Sequence, residues 1–167
     1  MQSYFQREAL ISTKKMIRLF YIGKNVKGAL EFFCKERLTF IGIGTNEIFN
    51  SFSEVSDYFY KFVDTVTSTY KIISEDYQVV TSSCDSCVVI AKIDFQANAE
   101  NLNYRFALHF SFCFQLDNEK LMITFVHVHM PEKDSLNCLH ADIKIREDLI
   151  YQFGNTNFIA AKSFLYE

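Results

Sequence analysis

Tyr104 to Met130 reads YRFALHFSFCFQLDNEKLMITFVHVHM, and this stretch decides the fold. Tyr104, Phe106, Leu108, Phe110, Phe112, Phe114 and Leu116 alternate with Arg105, Ala107, His109, Ser111, Cys113 and Gln115. A period of two over this length is the mark of a β-strand. Asp117-Asn118-Glu119-Lys120 breaks the pattern as a hairpin turn would. Alternation resumes with Leu121, Ile123, Phe125, His127 and His129 against Met122, Thr124, Val126, Val128 and Met130. Strands this long and aromatic need helices or a second sheet over at least one face.

Working upstream, Cys87 to Phe95 and Tyr70 to Val80 read as two further strands, separated by turns at residues 82–86 and 98–101. Before them, Ser51-Phe52-Ser53-Glu54 has capping-box spacing, with the glutamate placed to reach back to the cap. Phe52, Val55, Phe59, Phe62, Val63 and Val66 follow as one apolar helical stripe with Tyr58 at its edge. Leu38 to Ile43 is a short β-rich run ending in Gly42-Ile43-Gly44-Thr45-Asn46-Glu47. The third glycine and the lysine of a phosphate loop are missing there, so the glycines are expected to serve a bend or bulge. Residues 3–21 read as a helix stopped near Gly23, and Asn25 can cap a second, short helix. The predicted order is helix, helix, strand, helix, then four antiparallel strands. Beyond Pro131 the pattern weakens. A domain over residues 1–135 is expected, with 136–167 an extension packed on it whose elements the pattern does not define.

The bulk composition agrees with one α+β domain. The chain has 167 residues, 49% hydrophobic and 22% charged, enough for a sizeable core. A net charge of −3 predicts no general attraction to nucleic acid or to an anionic membrane surface. Eighteen Phe and nine Tyr imply either a thick core or an aromatic-walled pocket. Five cysteines, an odd number, without a signal-peptide pattern, point to a reducing cytoplasm. No apolar run approaches the ~20 residues of a membrane helix.

The element order resembles the cone-shaped nuclear transport factor 2-like fold, in particular its SnoaL-like branch. Phe40 to Glu47 is similar to an aromatic-Ile-Gly-x-Gly-x-Asn-Glu segment of one subgroup. Phe125 to Pro131 is similar to that subgroup's last strand, with its His-x-His pair. Pro131 stands where the subgroup has Ser, and no Trp is present. The resemblance covers roughly residues 5 to 131. It implies N-terminal helices packed in a strongly bent antiparallel sheet around a small pocket. It also implies pairing of two copies through the outer sheet face, and a place ahead of sensor, kinase or cyclase modules in bacterial signalling proteins. Relatives in the fold include isomerases, dehydratases, epoxide hydrolases, polyketide cyclases and non-catalytic dimerisation modules.

Several side chains are candidates for a site. In this fold the end of the last strand lies near the mouth of the cone, so His129 is the candidate acid or base if the chain is an enzyme. Asn46 and Glu47 are expected to face it from the loop after the first strand. Tyr58, Arg105, His109 and His127 complete the expected ligand-binding set. His127 and His129 at i, i+2 could share a metal, but the further ligand would have to come from Glu47 or His109 after folding; no metal and no cofactor is expected. Arg105 and His109 share one strand face, and Asp76 and Asp94 also lie on strands, but periodicity does not say which face is inward. Cys84-Asp85-Ser86-Cys87 lacks the helix N-terminus that would activate a thiol, so free cysteines are expected. The function expected is a small-molecule-binding, sensory or regulatory domain. The alternatives are a lyase, isomerase or hydratase using His129, and a pure dimerisation module.

Overall fold

The computed structural model describes residues 4–44, 46–82, 85–99 and 102–131. Three helices and six strands follow one another. They are α1 (Tyr4–Ile17), α2 (Val26–Leu30), β1 (Thr39–Ile41), β2 (Ile48–Phe49), α3 (Phe52–Thr65), β3 (Thr69–Ser82), β4 (Ser86–Ala99), β5 (Leu102–Asp117) and β6 (Lys120–His129). A wider π-type turn over Arg18–Ile22 continues α1 before Gly23 ends it. The expected tail elements of 136–167 and the proposed domain boundary lie outside the described residues.

Local signals explain most element ends. Asn25 caps α2 by accepting from the Gly28 N–H at 2.9 Å. A Cβ at Gly28 would come within 2.9 Å of the Asn25 amide and push the capping side chain aside. Ser51 caps α3 by accepting from the Glu54 N–H. The Glu54 carboxylate reaches one residue past the cap, to the Asn50 N–H at 2.8 Å, so the capping box is satisfied one position further out than expected. Asn118 and Glu119 both have positive φ, 47° and 65°. This pair turns β5 into β6 as a two-residue hairpin of the mirror-image type that matches strand twist.

The six strands form a single curved sheet in the order β2-β1-β6-β5-β4-β3. Strands β3 to β6 are antiparallel, as expected. One correction concerns the edge. The expected antiparallel sheet is mixed, because β1 lies parallel to β6 and β2 pairs antiparallel with β1. The two-residue β2 is too short to leave a periodic signal. The register shifts in β3, between Ile72 and Ser74 and between Val79 and Thr81, and again on the β5–β6 pair. Such bulges bend strands and increase their twist, which lets the long sheet wrap the helices.

The inner face is unambiguous in β5. Tyr104, Phe106, Leu108, Phe110, Phe112 and Phe114 are all buried, and the odd-numbered residues between them are not. In β6 the inner face changes parity. Ile123 is buried opposite Phe114, but the next inward residues are Val126 and Val128, opposite Phe112 and Phe110. Thr124 is the extra residue, and its hydroxyl donates to the Cys113 carbonyl at 3.3 Å.

Helices α1 and α3 fill the concave side. Phe59 of α3 stacks on Phe20 with ring centroids 4.1 Å apart and meets Phe33 and Phe40 edge-on. Thr13, the buried polar residue of α1, is satisfied by donating to the Ala9 carbonyl at 2.8 Å. Outside the core, Arg18 clamps both oxygens of Glu75 at 2.8 Å and ties α1 to β3. Its exposure limits that contribution to under ~1 kcal/mol. The core contacts therefore dominate. Phe59→Ala is expected to lower the unfolding free energy by about 3–5 kcal/mol in urea titrations. Tyr60→Ala, on the same helix but 47% exposed, is expected to change it by less than about 0.5 kcal/mol.

Candidate functional site

The polar part of the concave side is built by the loop between β1 and β2. The Gly42 N–H donates to the Glu47 carbonyl at 2.7 Å and the Glu47 N–H donates to the Gly44 carbonyl at 3.1 Å, closing the loop. The Glu47 side chain folds back over it and accepts from the Gly44 N–H at 3.0 Å. Gly42 makes this arrangement possible. A Cβ at that position would lie 2.2 Å from Glu47 Oε2 and 2.8 Å from Glu47 Cβ. The Gly-x-Gly spacing falls at a bend, as expected. It clears room for a carboxylate and supplies a backbone donor to it.

Glu47 is half-buried, and burial pushes its carboxyl above the usual range against the pull of hydrogen bonds from Gly44, Tyr58 and Ile43. Tyr58 reaches it from α3, held between Phe49 at 4.8 Å and Phe40 at 5.6 Å between ring centroids. Burial, and next the Glu47 charge, push the Tyr58 phenol well above its ordinary value, so it is a donor at any physiological pH. Tyr21 lies deeper and is 7% exposed. Burial, and next the Glu47 charge, push its phenol up as well. Its hydroxyl has no hydrogen-bond partner among the described residues and lies in the wall of the recess.

Beside this pair opens an aromatic recess, lined by Tyr21, Phe40, Tyr58, Phe59, Phe110 and Val128 among others. Counted out to its mouth it holds about 420 Å³ of space not filled by atoms, and its enclosed part has room for about one water molecule. A ligand entering it must be compact, or must move a side chain aside.

The structure divides the expected site residues into two groups. Glu47 and Tyr58 come together, and Tyr58 lines the recess. Asn46 is exposed on the loop. His127 and His129, expected near the cone mouth with Glu47, instead point to the outer face. The one-residue bulge at Thr124 reverses their facing, since a slip of one position moves every later side chain across the sheet. His129 as the acid or base of an internal pocket is corrected by this placement. His109 and Arg105 lie on the outer face too, at positions of β5 between the buried residues. Asp76 and Asp94 are exposed, and Asp94 accepts a hydrogen bond from the Ser74 hydroxyl. Sequence reasoning missed Tyr21, Phe40 and Phe110 as recess residues, because a packing aromatic and a lining aromatic carry the same pattern.

Of the cysteines, Cys34, Cys87 and Cys113 are free. Cys84, the other half of the Cys-x-x-Cys, lies outside the described residues. Burial pushes the Cys87 thiol up, with Cys113 adding to the effect, the opposite of what an activated nucleophile needs. Cys34 Sγ sits 3.6 Å from a Glu36 oxygen and 3.7 Å from an Asp117 oxygen. No described helix is long and apolar enough to cross a membrane.

Gly42→Ala is expected to displace the Glu47 carboxylate from its donors and cost about 1–3 kcal/mol. Because both changes act on one contact, the Gly42→Ala/Glu47→Ala double variant should lose clearly less than the sum of the two single losses. Additive losses in denaturant titrations would show that Gly42 does not act through Glu47.

No family model matches the chain, and no curated protein matches it by sequence. Solved structures do match. A dehydratase-named protein of the nuclear transport factor 2-like family from Streptomyces avermitilis superposes with a TM-score of 0.63 at 7% identity, over 75% of this chain and 94% of that one. A ketosteroid isomerase-like protein from Erwinia carotovora atroseptica gives 0.62 at 10% identity, over 77% and 98%. A protein from Xanthomonas campestris, named for the association domain of calcium/calmodulin-dependent protein kinase II, gives 0.58 at 15% identity, over 78% and 89%.

Proposed function

We propose that this chain, which has the nuclear transport factor 2-like cone fold, is a small-molecule-binding domain of sensory or regulatory type whose ligand enters the aromatic recess. The observation that carries the reading is the recess itself, whose apolar and aromatic wall includes the Tyr21 and Tyr58 phenols, with the Glu47 carboxylate behind Tyr58. Pockets that select small molecules combine apolar walls with a few fixed polar groups in this way. A carboxylate has about four lone-pair positions. The Gly44 N–H holds one oxygen of Glu47, and a ligand donor that reached the carboxylate would take a further acceptor position. Tyr21 supplies the opposite polarity, a buried hydroxyl that a ligand oxygen would satisfy. The ligand class that fits is a compact, mostly apolar molecule with a hydrogen-bond donor and an acceptor oxygen, such as a small phenol or hydroxyketone.

A second reading is favoured by the raised Glu47 carboxyl, which is the kind of group that carries a proton between two positions of a substrate. In that reading the domain is an isomerase, dehydratase or other lyase with Glu47, not His129, as the proton carrier. Several structural neighbours bear such names. Turnover of a bound compound that stops in Glu47→Gln, with binding retained, would select it.

We also assign the outer sheet face to a second copy of the chain. Val88, Ile90, Cys113 and Phe125 lie half-buried at its outward positions. Light scattering at two concentrations reads this directly, and a monomer at both would remove it.

The ligand reading is tested by thermal shift against a panel of small phenols, ketones and hydroxyketones. A positive shift is expected for some of them. Tyr21→Phe and Tyr58→Phe should each weaken binding about 2- to 10-fold, the worth of one neutral hydrogen bond. A panel that shifts nothing would favour a filled cone that only dimerises. A shift that both phenylalanine variants keep in full would put the ligand elsewhere.

A further inference from the structure

Three of the chain's four histidines are neighbours on the outer face of the sheet, with His129 in contact with the other two. His109 on β5 pairs directly with His129 on β6, and their ring centroids are 4.9 Å apart at 86°. His127 precedes His129 by two residues on the same face of β6, with ring centroids 6.1 Å apart. All three side chains stand on one side of the sheet, because directly opposite residues and i, i+2 residues share a face.

We propose that His109, His127 and His129 form a binding site for a divalent transition metal such as zinc, with solvent in the fourth position. Zinc–imidazole bonds are about 2.0–2.1 Å long, so two rings on one tetrahedral ion have centroids about 5 Å apart. The His109–His129 separation, 4.9 Å, matches that value, and His127, 6.1 Å from His129, must turn toward the pair to complete the site. His127 is exposed in the single chain, so the rotation that closes the wider gap starts from an unburied side chain. The ligand type is also suitable. Imidazole suits zinc, copper and nickel, and it binds in its neutral form. Desolvation first, then the neighbouring His109 and His127, hold the His129 imidazole below its ordinary value of 6.5, toward the neutral state that ligates.

The surroundings set the conditions. Lys92 on β4 pairs with His109 and is the nearest cation in that row. Asp76 on β3 lies on its other side, and Asp94 is one outward position along β4. Both carboxylates and the lysine are exposed, so water and salt screen their effect on a bound ion. On the β1 side the partner of His127 is Ile41, which brings no charge. The hairpin register creates the site. His127 and His129 alone are two ligands, and only the pairing of β5 with β6 brings His109 opposite them.

The test uses chelator-treated full-length protein titrated with zinc by calorimetry at neutral pH, followed by cobalt(II) absorption. One metal ion per chain is expected. His109→Ala, His127→Ala and His129→Ala should each weaken it by more than about tenfold, since removing a ligand costs more than disturbing its support. Affinity should also fall on acidification, because imidazole ligates in its neutral form. The cobalt form should show the visible bands of a nitrogen-ligated site and no near-ultraviolet thiolate band. Cys34→Ser is the control, because Cys34, Glu36 and Asp117 are the group of described residues whose ligand atoms already lie close together. All three histidines lie on a solvent-facing surface, and circular dichroism confirms that the variants fold. No binding, or binding that persists in the histidine variants and disappears in Cys34→Ser, overturns the proposal.

Discussion

One extra residue in β6 governs where chemistry can occur in this protein. Ile123 packs inward against Phe114, and strict alternation from there would carry His127 and His129 into the core. Thr124 breaks the alternation. It leaves the ladder unpaired, donates to the Cys113 carbonyl, and hands the inward positions to Val126 and Val128. The physical reason is the cost of the alternative. Two imidazoles among Phe110, Phe112 and Tyr21 would need hydrogen-bond partners that an aromatic core does not offer, whereas two valines need none. The bulge therefore keeps the concave side apolar and puts a histidine cluster on the convex side.

The two faces then take separate roles. The concave side has few polar groups and fixes them tightly. Gly42 makes room for the Glu47 carboxylate, the loop backbone donates to it, and Tyr58 approaches from α3 between Phe40 and Phe49. Each of these elements is anchored by the core rather than by the surface, so the carboxylate is positioned before any ligand arrives. The convex side carries exposed, rotatable groups on a rigid ladder, which suits an ion or a second protein surface better than an enclosed small molecule.

Much of the fold was legible because it rests on local chemistry. Ser51 and Glu54 announce the start of α3, Asn25 announces α2, and the alternation of Tyr104 to Phe114 names the buried face of β5. What was not legible depends on contacts between distant residues. A bulge leaves the apolar–polar pattern of β6 intact while reversing its meaning, so the expected inward His129 was a reasonable reading of a pattern that lacks the deciding information. The role of Gly42 was hidden for the same reason, since the side chain it accommodates lies five positions away and folds back only in three dimensions. Glu47 and Tyr58 were reachable as candidates, one through the resemblance of its loop and the other as the polar edge of an apolar stripe. The place of Tyr21 in the recess wall had no counterpart in the sequence, where it reads as one more helix aromatic.

The facing of β6 is the claim on which both the recess and the histidine cluster rest. Nuclear Overhauser contacts in isotope-labelled protein measure it most directly. The account predicts cross-peaks between the Val128 methyls and the Phe110 ring, and between the His129 and His109 rings, whose centroids are 4.9 Å apart. Cross-peaks from the His127 or His129 rings to Phe110 or Phe112, with the Val126 and Val128 methyls facing solvent, would contradict it.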